Sequence, residues 1–141
     1  MKMKVLQIGL SYKQYAQGAI TEAIHKKLLK IGEDSMVCYV EPIKIKDRNV
    51  FCIETKLENI TKRVLRRFFG KHSIWARLST IRLIRRIKRF KPDIVQIHNI
   101  HHLTVDYKYL YRYLATSDLK IVITLHDMWY FTGGCYHFYD I

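Results

Sequence analysis

A chain of 141 residues that is 49% hydrophobic can fill one domain core, and no apolar run approaches the roughly 20 residues that cross a bilayer. Met1-Lys2-Met3-Lys4 leads into a strand-like run rather than a secretory signal. Cys38, Cys52 and Cys135 are odd in number and unevenly spaced, so a cytoplasmic chain with reduced thiols is expected. The formal charge of +13 is concentrated, because no acidic residue lies between Asn59 and Pro92 while basic residues recur throughout that stretch.

Residues 4–9 read as a strand, followed by a polar, aromatic loop through Tyr12 and Tyr15. From Gly18 the period becomes helical, with Ala19, Ala23, Ile24, Leu28 and Ile31 as the apolar stripe and Gly32 as the stop. Strand, loop and helix make the first half of a βαβ unit and place helix N-terminal amides beside the strand tip, a ready anion site. Gly9 and Gly18 do not make a dinucleotide fingerprint. Residues 36–40 form a second strand and 50–53 a short third, with an edge segment at Pro42 and residues 44–47. A helix over 60–69 is broken by Gly70. Ser73 caps the next, whose stripe is Ile74, Leu78, Ile81, Ile84 and Ile87 and which ends before Pro92.

Residues 93–98 are a buried strand ending in His98-Asn99, and 104–114 a helix with Leu110 and Leu114 inward. Residues 120–125 are apolar enough to be buried on both faces, and they end in His126-Asp127. The order predicts an α/β fold, a Rossmann-like parallel sheet with helices on both faces. The chain halts in mid-loop with no helix to cover its last strand, so that strand is expected to be open to aggregation.

Two parallel strands ending in His98-Asn99 and His126-Asp127 bring polar groups to one sheet edge, where this fold class binds ligands. The bland alternative is a turn in which Asp127 accepts backbone N–H groups. His98, His101, His102, His126, Asp127, Cys135 and His137 match no metal-binding spacing, so no metal is expected, and His101 and His102 read as loop polarity. The basic stretch suits, in order of preference, an anionic membrane surface, a solvated helix face, or nucleic acid. Phe68, Phe69, Trp75 and Phe90 among the cations fit an interfacial helix, and Arg66, Arg67, Arg82, Arg85, Arg86 and Arg89 are its candidate membrane-facing residues.

Residues 125–135, LHDMWYFTGGC, resemble a block in the N-terminal domain of bacterial family 4 glycosyltransferases. PDIVQIHNIH at residues 92–101 resembles that family's strand and loop, and Gln17-Gly18-Ala19 with the helix through His25 resembles its GGA loop. The resemblance implies the acceptor-side half of a GT-B enzyme, which moves a sugar from a nucleotide-sugar to a glycan or lipid-linked acceptor with retention, usually without a metal or other cofactor. It implies a role in surface polysaccharide synthesis, on the cytoplasmic face of the cell membrane. Gly18 and Gln17 would form the donor-phosphate loop, His126 and Asp127 the catalytic pair, and His98 and Asn99 the acceptor side. Gln17 stands where the family usually has glycine, and Tyr130 where proline is common. The donor-binding domain expected after residue 141 is absent, so the chain is expected to be a truncated, inactive fragment. A non-catalytic membrane-associated subunit of a split glycosyltransferase and a basic nucleic-acid-binding module are the alternatives.

Overall fold

The computed structural model describes residues 2–41, 43, 45–70, 73–98, 100 and 104–132, apart from the side chain of Trp129. Five parallel strands form one sheet: β1 (Lys4–Gly9), β2 (Asp34–Tyr39), β3 (Val50–Cys52), β4 (Ile94–His98) and β5 (Lys120–Thr124), in the order β3-β2-β1-β4-β5. The fold is Rossmann-like α/β. The strand order reverses between β1 and β4, and such a switch point opens a crevice at the strands' C-terminal ends.

The two faces of the sheet differ chemically. Alternate residues Leu6 and Ile8, Met36 and Cys38, and Val95 and Ile97 point into the main core. Helices α3 (Arg77–Phe90) and α4 (Tyr107–Ala115) close that core with Leu83, Ile84, Ile87, Leu110 and Leu114. The opposite face carries Gln7, Ser35 and His98, and α1 (Tyr15–Lys30) packs there against β1 and β2. The same face also holds an apolar patch of Val37, Tyr39 and Val50, and α1 buries Gly18, Thr21 and His25 there instead of the expected stripe, with His25 supplying the polar partner for Ser35. Ala19, Ala23 and Ile31 are exposed. His25 receives a hydrogen bond at Nδ1 from Ser35 Oγ (2.7 Å) and donates from Nε2 to the Arg48 carbonyl (3.0 Å), latching α1 to β2 and the loop beyond it.

Three other expectations change. Among the described residues, 45–49 form no strand: the loop is pinned by Tyr12, whose hydroxyl donates to Asp47, and by Ile45 N–H donating to the Tyr39 hydroxyl. Helix α2 (Lys56–Phe69) starts earlier than its apolar period suggests, because Thr55 and Glu58 form a reciprocal capping box. Ser73 opens a short 3-10 turn (Ser73–Ala76), so Ile74 and Leu78 lie outside the buried stripe while Ile84 and Ile87 remain in it.

Strand β5 is not buried on both faces. It lies at the sheet edge, and Ile121, Val122 and Ile123 are 40%, 46% and 46% exposed. A short helix, α5 (Trp129–Thr132), follows it. Among the described residues no helix is long and apolar enough to cross a membrane.

Candidate functional site

His98 ends β4 and pairs in register with Thr124, the last residue of β5, so the next turn brings His126 alongside. The rings stand 5.5 Å apart between centroids, with His98 Nδ1 3.2 Å from His126 Nε2. On its other side His98 Nε2 lies 3.1 Å from Gln7 Oε1 of β1. A carbonyl oxygen only accepts, so His98 donates from Nε2, and its Nδ1 then accepts from Nε2–H of His126. The result is a three-residue relay across three adjacent strands, ending at the exposed imidazole of His126.

Burial first, and the neighbouring His126 second, push the His98 pKa down from 6.5 to about 4, so this ring is neutral at ordinary pH. A neutral ring is what the relay requires, because a doubly protonated one could not accept from His126. His98 is fully buried, so it meets no ligand directly in this arrangement, and the exposed end of the relay is His126. Asp127 is half-buried in the turn after His126. Asn99, His101, His102, residues 133 and 134, Cys135 and His137 lie outside the described residues.

Tyr130 braces the same tip. Its hydroxyl lies 2.9 Å from that of Tyr111 on α4 and accepts from Ile100 N–H (3.4 Å). Desolvation raises the Tyr111 pKa, with the Tyr130 hydrogen bond adding to it. The segment after β5 is thereby tied to α4 and to the loop after β4.

The glycine loop is built differently from its expected use. Gly18 sits in the first turn of α1 and its N–H already donates to the Gln14 carbonyl (3.1 Å). It must be glycine for packing: a Cβ there would lie 2.9 Å from Ser11 Oγ and 3.1 Å from Lys13 N. Gln17 reaches across to donate from Nε2 to the His98 carbonyl (2.8 Å), joining the α1 N-terminus to the β4 tip. Ahead of Gly18, Lys13 and Tyr15 take left-handed conformations (φ 66° and 58°), and the Lys13 N–H is already spent on the Gly18 carbonyl (3.1 Å).

The six candidate arginines do not share one surface. Arg66 lines a hollow of about 250 Å³ with Leu10, Glu41, Glu54, Asn59 and Lys62, at the C-terminal ends of β1 and β2. Arg67 is exposed on α2. Arg82, Arg85, Arg86 and Arg89 surround a separate cavity beside β3. Sequence reasoning missed Gln7 and the Glu54–Lys62 pair (2.6 Å), because glutamine within a strand and acid–base pairs eight residues apart carry no local signal.

Among the described residues no three histidine, cysteine, aspartate or glutamate side chains converge as metal ligands do. Cys38 and Cys52 are free thiols. The family model described as Glycosyltransferase Family 4 matches residues 36–140. No curated protein and no solved structure matches the chain.

Proposed function

This chain belongs to glycosyltransferase family 4, and we propose that it forms the acceptor-side half of a retaining enzyme working at an anionic membrane surface. In this reading a nucleotide-sugar lies across the switch point with its phosphates toward the α1 N-terminus. The sugar passes to a hydroxyl of a glycan or lipid-linked acceptor of surface polysaccharide, and the nucleoside diphosphate leaves. The observation that carries the reading is the exposed His126 imidazole held in place by buried His98, at the C-terminal ends of β4 and β5. A fixed, exposed imidazole suits hydrogen bonding to sugar hydroxyls, with Asp127 supporting it and Asn99 on the acceptor side. In this reading donor binding needs a second α/β half facing this one, and no metal or other cofactor is required.

The experiment joins the domain to a family donor-binding half and follows nucleoside diphosphate release from a panel of UDP- and GDP-sugars with lipid-linked acceptors. His126→Ala should abolish transfer while the melting temperature holds. Full turnover in that variant would remove His126 from the mechanism.

The membrane part rests on α2, whose residues Leu57, Ile60, Val64 and Phe68 follow helical spacing along one face and point outward, with Leu57 and Phe68 both 73% exposed. A merely solvated helix has no reason to present that ridge alongside Arg63 and Arg67, whereas an interfacial helix does. Phe69 is likewise exposed and lies 6.3 Å from the Trp75 ring, while Phe90 packs against the core. The chain should sediment with phosphatidylglycerol-containing vesicles at low salt. Leu57→Ser/Phe68→Ser should reduce retention several-fold, and equal retention of the variant would exclude α2 as the anchor.

A further inference from the structure

We propose that Arg82, Arg85, Arg86 and Arg89 form a binding site for a phosphate group, in the cavity between α3 and the outer edge of β3. The spacing of these residues places all four on one stripe of α3. They line a cavity of about 240 Å³ whose floor is Cys52 and Ile53. That is about eight times the volume of a liquid water, room for a phosphate and part of its hydration shell.

Two of the four guanidinium groups are held in place before any ligand arrives. Arg82 donates from Nε to the Ile53 carbonyl (2.9 Å) and pairs with Glu58. The Arg86 guanidinium lies over the Phe51 ring, 3.7 Å from its centroid. Arg85 and Arg89 are exposed and stand one turn apart on the same stripe, placed to close over an anion. Arginine at 82 and 86, and again at 85 and 89, sets like charges at the spacing where they repel, which weakens the helix slightly. Glu58 offsets one charge of the four. A phosphate group, carrying about −1.5 to −2 charges, would offset most of the remaining three, and the planar guanidinium fork matches its oxygens in paired hydrogen bonds.

The site is separate from the histidine crevice. β3 is an edge strand, with β2 and β1 between it and β4. Three strand spacings are about 14 Å. The inference therefore does not rest on sugar transfer, and it uses α3 where the membrane reading uses α2. Two sources carry the group, a lipid phosphomonoester headgroup and a soluble phosphate.

The test titrates the 141-residue chain, labelled with nitrogen-15 at arginine, with inorganic phosphate and with chloride at equal ionic strength, following the arginine Nε–H signals. Saturable shifts at the four α3 arginines with phosphate, and none with chloride, are expected. Arg85→Gln/Arg89→Gln removes two exposed groups without touching the core and should weaken phosphate binding about ten- to a hundredfold. Arg63→Gln/Arg67→Gln on α2 should leave it unchanged. A second arm compares phosphatidylcholine vesicles carrying phosphatidic acid with others carrying phosphatidylserine at equal surface charge. Preference for phosphatidic acid, lost in the Arg85/Arg89 variant, assigns the site to a headgroup; phosphate binding without that preference assigns it to a soluble ligand. The proposal is overturned if phosphate acts as chloride does and phosphatidic acid is held no better than phosphatidylserine, or if either preference survives unchanged in the double variant.

Discussion

Lowering the pH should destabilise this domain through His98, and the size of the effect follows from where the ring lies. Its pKa is about 4 in the fold against 6.5 for an ordinary histidine, because burial and then His126 oppose a charge there. Between those two values the unfolded chain binds a proton that the folded chain refuses. Stability therefore rises with pH across that window and is lost as pH falls through it. At 1.36 kcal/mol per pKa unit the full loss is about 3 kcal/mol, of which about 2.5 kcal/mol has gone by pH 4.5. Against a domain stability of about 5–15 kcal/mol this is a large share. Urea unfolding of the chain and of His98→Gln, from pH 7 to 4.5, isolates the term, since glutamine does not titrate. His25, which burial also shifts downward, is common to both and cancels in the difference. The wild-type curve should fall more steeply by about 2.5 kcal/mol over that range. Parallel curves would show that position 98 takes up its proton as readily in the fold as outside it, and the relay drawn from Gln7 to His126 would be wrong.

Lys62→Met should cost about 3–5 kcal/mol in thermal or urea unfolding, because it strands the Glu54 carboxylate, which is 1% exposed and whose pKa burial raises against the pull of Lys62. Adding Glu54→Gln should restore most of the loss, and a neutral Lys62→Met would mean that Glu54 reaches water. Gly18→Ala should destabilise by about 1–3 kcal/mol, since the new methyl meets Ser11 Oγ and the Lys13 backbone. An unchanged melting temperature would show that the 11–13 loop yields freely.

Strand positions were legible because they come from short apolar runs between polar ones, a signal local to each segment: 4–9, 50–53 and 93–98 all lie within two residues of strands in the structure. Helix burial was less legible. The apolar residues of α1 and α2 are at helical spacing, yet Ala19, Ala23 and Ile31 face out on α1 and Leu57 to Phe68 form an outward ridge on α2. Periodicity shows that a helix has two faces, but not which one its neighbour covers. The capping box Thr55-x-x-Glu58 was readable and would have placed the start of α2 correctly.

By itself, the sequence determined a parallel α/β sheet, the two histidine-bearing strand ends and the unbroken run of positive charge, because each is written in adjacent residues. Packing alone settled that β5 is an exposed edge, that His25 of α1 lies against Ser35 of β2, and that His98 is sealed between Gln7 and His126. Those outcomes depend on which strands lie side by side. Residues 91 positions apart in the chain, such as Gln7 and His98, become hydrogen-bonded neighbours only when β4 inserts beside β1.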